Sequence, residues 1–146
     1  MKLSPNLHRL TDFMDIILDW VPNNKTLDAI YEIHAHPEKR ARCYAQISTS
    51  DETHYKIGLY RCYYSTTRLK PLKRTLRTFS TLDLLMTLAH EIAHLYEWKH
   101  TPYRQILECR IGVDLMERAI KLGYTSEEDE MGVKKVDKSK TYSLTL

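Results

Sequence analysis

Leu82-Asp83-Leu84-Leu85-Met86-Thr87-Leu88-Ala89-His90-Glu91-Ile92-Ala93-His94-Leu95-Tyr96-Glu97-Trp98 is the stretch from which the rest of the chain can be read. Leu82, Leu85, Met86 and Ala89, continuing into Ala93, recur at helical spacing and predict a buried stripe. Ser80-Thr81-Leu82-Asp83 opens this helix as a capping-box variant, with Asp83 where Glu or Gln is commoner. The helix is expected to fade near Trp98-Lys99.

His90 and His94 lie four residues apart, so a helix projects both imidazoles from one face, one turn above the other. One tetrahedral ion can take a nitrogen from each, and zinc is the metal this pairing suits. Glu91, next to the first histidine, can serve as general base toward water at that ion without being a ligand. Catalytic zinc commonly has three protein ligands, and His100, six residues beyond His94, is the third candidate. Glu108 is its rival, but fourteen residues after His94 is a short interval for a ligand from a following helix. The sequence reads Glu108 instead as a surface group or as an acceptor for a ligand histidine. A shuffled chain of this composition would show H-E-x-x-H only about 0.02 times, so its placement on an apolar-periodic helix carries weight.

The 146 residues suit one domain with a modest core, at 42% hydrophobic and 28% charged. Residues 1–124 are expected to form that domain. Residues 125–146, with Glu127-Glu128-Asp129-Glu130 ahead of Lys134, Lys135, Lys138 and Lys140, are expected to be a charged tail. Cys43, Cys62 and Cys109 are odd in number, scattered and without C-x-x-C, which argues against a disulfide framework or a zinc ribbon. No segment is apolar and long enough to span a membrane, and a cytoplasmic protein is the expectation. A net charge of +3 does not by itself imply nucleic acid.

Upstream, Ser4-Pro5 reads as N-cap and first residue of a helix carrying Leu7, Leu10, Phe13, Met14, Ile17, Leu18 and Val21, ended before Pro22. Three segments have strand character: Ala29 to Ala35, Ala41 to Ser48 and Tyr55 to Tyr64, the last two joined by a hairpin at Ser50-Asp51-Glu52-Thr53. Leu27, Ile30 and Ile33 would equally suit a helix. Three successive strands predict an antiparallel meander. Arg68, Lys70, Lys73, Arg74 and Arg77 are placed in a loop with Pro71; a solvated loop is the better reading, with phosphate contact through Arg68–Arg77 the other. Downstream, Thr101-Pro102 starts a helix with Ile106, Leu107, Ile111, Val113, Leu115, Met116, Ile120 and Leu122 as apolar positions, and Gly123 ends it.

His90-Glu91-Ile92-Ala93-His94, five intervening residues and His100-Thr101-Pro102-Tyr103 resemble the zinc metallopeptidases of the SprT-like and WLM groups. The gap is similar to the WLM pattern, and the run from His100 to the SprT-like one. The resemblance covers residues 80–110, and the preceding strands loosely. It implies zinc ligands His90, His94 and His100, general base Glu91, and a zincin-like α+β fold. That fold would set a small antiparallel sheet of about three strands against three main helices. It also implies an edge strand above the metal helix, here Tyr55–Tyr64, pairing with an extended peptide. Two departures stand out: the chain has no cysteine-rich ribbon, and Glu97 stands where metzincins need glycine. Tyr103 is read as a packing residue, with oxyanion stabilisation the other reading. The expectation is therefore a zinc peptidase acting on protein or peptide. The alternatives are a nucleic-acid or protein adaptor of the same fold, and a zinc hydrolase of a non-peptide substrate.

Overall fold

A computed structural model of the protein describes residues 1–34, 45–66 and 74–124. The chain is α+β, and the described residues form three helices and a small mixed sheet of four strands. Strand β1 is Lys2–Leu3, β2 Thr26–Ile33, β3 Ala45–Thr49 and β4 His54–Tyr60, in the order β1-β2-β4-β3. β1 and β4 both run parallel to β2, and only β3 is antiparallel to its neighbour. The expected meander is therefore corrected to a mixed sheet. Its reason is that β4 inserts between β2 and β3 rather than beyond them.

The ambiguity of Leu27, Ile30 and Ile33 has a physical source. The pairing of β2 with β4 shifts between Leu27 and Ala29. A bulge adds one residue to the strand, so Leu27 and Ile30, three apart, both reach the core at 4% and 0% exposure. The same spacing on paper is helical. Residues 41–44 of the second expected strand, Cys43 included, lie outside the described residues, whereas Ala45 to Thr49 form β3. The hairpin between β3 and β4 is present, with Asp51 Oδ1 accepting from the Thr53 and His54 amides at 2.9 and 2.8 Å.

The expected strand Tyr55–Tyr64 is two strands. β4 ends at Tyr60, and β5, Cys62–Thr66, leaves the sheet to pair antiparallel with β6, Arg74–Thr78. Flanked by β2 and β3, β4 is interior, with Tyr55, Ile57 and Leu59 buried. It therefore cannot be the expected edge strand; among the described strands β3 is the edge on that side. Arg74 and Arg77 fall on β6, while residues 68–73 of the basic run and the tail 125–146 lie outside the described residues.

The first helical stretch is a 3-10 segment, Pro5–Phe13, running into helix α1, Met14–Trp20. Leu7, Leu10 and Phe13 recur every third residue, the period of a 3-10 helix, and all three are buried. Ser4 makes no side-chain cap; its amide instead donates to Ile30 O at 3.0 Å and ties the segment to the sheet. Helix α2, Thr81–Ala93, has the expected capping box: Ser80 Oγ accepts from the Asp83 amide at 3.1 Å, and Asp83 Oδ2 from the Ser80 amide at 3.4 Å. It ends at His94, earlier than expected. Helix α3, Pro102–Leu122, opens on Thr101, whose Oγ1 accepts from the Arg104 amide, and closes on Gly123 at φ 87°. Leu84, Leu85, Leu88 and Ile92 of α2 meet Ile111 and Leu115 of α3 in one core with β2 and β4. Each buried aliphatic side chain contributes roughly 1.5–3 kcal/mol. That packing fixes the helix carrying His90 and His94 in rotation as well as position.

Candidate metal centre

The last turn of α2 places His90 and His94 with ring centroids 5.0 Å apart. The chain then turns back through Leu95–Trp98, with the Leu95 amide donating to Ile92 O and the Glu97 amide to Ala93 O. This reversal brings His100 over the pair, its ring 5.6 Å from His90 and 5.2 Å from His94. The candidate ligand atoms of His90, His94 and His100 lie within 4.8 Å of one another. Among the described residues this is the one group of three or more such side chains that converges, and it could hold a metal ion. Glu108 is not part of it.

Glu108 instead accepts from His90 Nδ1 at 2.7 Å. This reaches from α3 to α2, orients the ring and leaves Nε2 with the lone pair. His94 is held the same way, with Nδ1 3.0 Å from Trp98 O. Two imidazoles whose Nδ1 protons are already engaged fit a metal that binds neutral nitrogen, as zinc does. The three rings are thus a suitable donor set, two of them oriented by bonds of their own.

Arg104, on the first turn of α3, was not singled out by the sequence. It is 4% exposed. Its Nη1 lies 2.9 Å from Nδ1 and 2.8 Å from Nε2 of His94. With Nδ1 turned toward Trp98 O, Nε2 is the nitrogen that faces the guanidinium, and an ion bound at Nε2 would take the place of that contact. Desolvation, followed by the Arg104 charge, pushes the His94 pKa down to about 4. His94 therefore stays neutral where an ordinary histidine would protonate. No spacing rule points from His94 to Arg104, and only the fold reveals the contact.

Glu91 lies on the same turn, 7% exposed, at the wall of the cleft. Burial pushes its carboxyl pKa up, opposed by His90 and Arg104 and reinforced by Glu108. A carboxylate desolvated beside positive groups is suited to taking a proton and giving it back.

The cleft has a volume of about 1320 Å³. Residues 45–48 of β3 line one wall, and Asp83, Met86, Thr87, His90, Glu91 and His94 of α2 another. Tyr63 and Phe79, with rings 4.6 Å apart, add an apolar surface. Trp98 is 54% exposed and lines the cleft with its ring 5.5 Å from His94. Tyr103 is 58% exposed and is not among the cleft-lining residues. Tyr96 does anchor the turn, its hydroxyl donating to Trp20 O.

Fold and site together define an α+β chain with a three-histidine cluster beside a buried glutamate, in a cleft edged by a strand. Comparison with family models, curated proteins and solved structures finds no match to any of them. Among the described residues no helix is long and apolar enough to cross a membrane.

Proposed function

We propose that the chain is a zinc-dependent peptidase with a zincin-like site, of the SprT-like and WLM-like kind that residues 80–110 resemble. The observation that carries this reading is Glu91, a desolvated carboxyl on the cleft wall beside three convergent imidazoles. A site that only stabilised the fold would need no such group. His90, His94 and His100 would hold the ion, and bound zinc supplies Lewis acidity toward a carbonyl and acidifies water.

The chain's own residues do the rest. Glu91 accepts the proton of the attacking water and returns it to the leaving amine, a role that its raised pKa favours. Glu108 holds His90 through Nδ1, and the Trp98 carbonyl holds His94. No described strand pairs with the outer edge of β3. An extended peptide can add there by backbone hydrogen bonding, which supplies affinity with little regard for sequence. Met86, Tyr63 and Phe79 offer an apolar wall to a side chain beside the ligands.

The test is cleavage of an unfolded protein by the zinc-loaded chain, beside Glu91→Gln. Activity in the wild type, lost in Glu91→Gln while one zinc per chain is retained, is the expected result. A fully zinc-loaded wild type that leaves unfolded proteins and extended peptides intact would sink the peptidase reading.

A further inference from the structure

Helix α3 carries more apolar residues than the core uses. Leu107, Ile111, Leu115 and Ala119 are buried, whereas Ile106, Val113 and Ile120 are 54%, 55% and 49% exposed. The exposed three are spaced by seven residues. Seven residues of an α-helix return to within about 20° of the starting direction, so they form one straight stripe along the solvent side. Arg110 and Glu117, also seven apart and exposed, flank that stripe on the same side. Among the described residues neither has an ion-pair partner.

We propose that this stripe is the contact between two copies of the chain, with the α3 helices packed antiparallel about a two-fold axis through Val113. The pattern is self-complementary about that residue. Antiparallel pairing sets Val113 against Val113 of the partner subunit and Ile106 against Ile120 of the partner subunit. Arg110 lies three residues before the axis and Glu117 four residues after it. A two-fold rotation keeps residues on the same side and reverses their height along the helix, so Arg110 meets Glu117 of the partner subunit, twice over. Parallel pairing would leave Arg110 and Arg110 of the partner subunit on opposite flanks of the seam, with no Arg110 to Glu117 contact between copies, so the charges select the antiparallel arrangement. An isologous contact of this kind closes as a dimer.

A 21-residue helix is about 31 Å long. One helix pair of that length is a small interface, below the roughly 1,200 Å² of most stable complexes. A micromolar dimer follows. Arg104 and Glu108, which reach the histidine cluster, lie on the inward side of α3 and are buried and half-buried. The contact therefore leaves the cleft open and does not depend on the peptidase reading.

Analytical ultracentrifugation of the full chain from about 1 to 500 µM spans the association range of a weak interface. The expected result is a concentration-dependent dimer that Val113→Asp weakens by about tenfold or more, since two like charges then meet on the axis. Arg110→Glu alone and Glu117→Arg alone should each weaken it about fivefold, and the double reversal should restore it. These positions are exposed, so the far-UV spectrum should not change. A monomer across the whole range overturns the proposal, as does a dimer indifferent to Val113→Asp. A double reversal no tighter than the single ones overturns the antiparallel register.

Discussion

His94 is where burial, a guanidinium and a backbone carbonyl act on one imidazole, and their balance has a measurable sign. In the unfolded chain it takes a proton as pH falls through about 6.5; in the folded chain it resists until about 4. The folded state then binds fewer protons across that window. His94 contributes stability that is present above about 6.5 and lost progressively as pH falls toward 4. The metal-free melting temperature should fall over this range, and His94→Gln should flatten that part of the profile. An unchanged slope would mean that His94 does not govern it. Glu108 acts on His90 differently, by holding Nδ1 and so directing Nε2. Glu108→Ala should weaken metal binding about 10- to 100-fold, the usual effect of losing such a partner. His100→Ala should abolish stoichiometric zinc. Titration against a chelator of known affinity separates the two. Zinc kept without His100 and lost without Glu108 would reverse their roles.

At the scale of elements, Gly58 of β4 sits where the ends of two β2 side chains close over the strand. Gly58 pairs with Tyr31 across β2 and β4, and a Cβ there would lie 2.7 Å from Tyr31 Cζ and 2.8 Å from Ile33 Cδ1. Gly58→Ala should cost about 1–3 kcal/mol, as overpacking does, read from the urea midpoint. Tyr31→Ala in the same chain should recover part of that cost, whereas purely additive effects would exclude the clash as its cause. The helices were the legible elements. Ser80 with Asp83, Thr101 with Pro102, and Gly123 mark ends by local chemistry that needs no partner. The sheet was not legible to the same degree. Its order depends on which strands meet, and a run such as Tyr55 to Tyr64 gives no sign that Arg61 divides an interior strand from a separate hairpin. The bulge at Leu27 and Ala29 further disguised β2 by giving a strand helical spacing.

Across the whole molecule, the site was legible where its residues are close in sequence and hidden where the fold supplies them. His90, Glu91, His94 and His100 fall within eleven residues, so helix period and one turn suffice to bring them together. Arg104, Glu108, the β3 wall, and Tyr63 and Phe79 arrive from other elements, and only packing puts them there. The same arrangement would couple a bound ion to the fold. Two candidate ligands sit at the end of α2, the third on the turn before α3, and Glu108 ties α3 back to His90. A metal held by all three imidazoles therefore fastens α2 to the start of α3. A ligand that binds only the folded state stabilises it by RT ln(1 + [L]/Kd), about 2.7 kcal/mol at a hundredfold excess over Kd. At roughly 2–4 °C per kcal/mol for a chain near this size, zinc should raise the melting temperature by about 5–11 °C. His100→Ala should lose most of that rise, because the remaining pair lies on a single helix and no longer bridges the turn. Glu91→Gln should keep it in full, since Glu91 is not among the three converging side chains. A zinc-induced rise that survives His100→Ala would place the third ligand elsewhere in the chain.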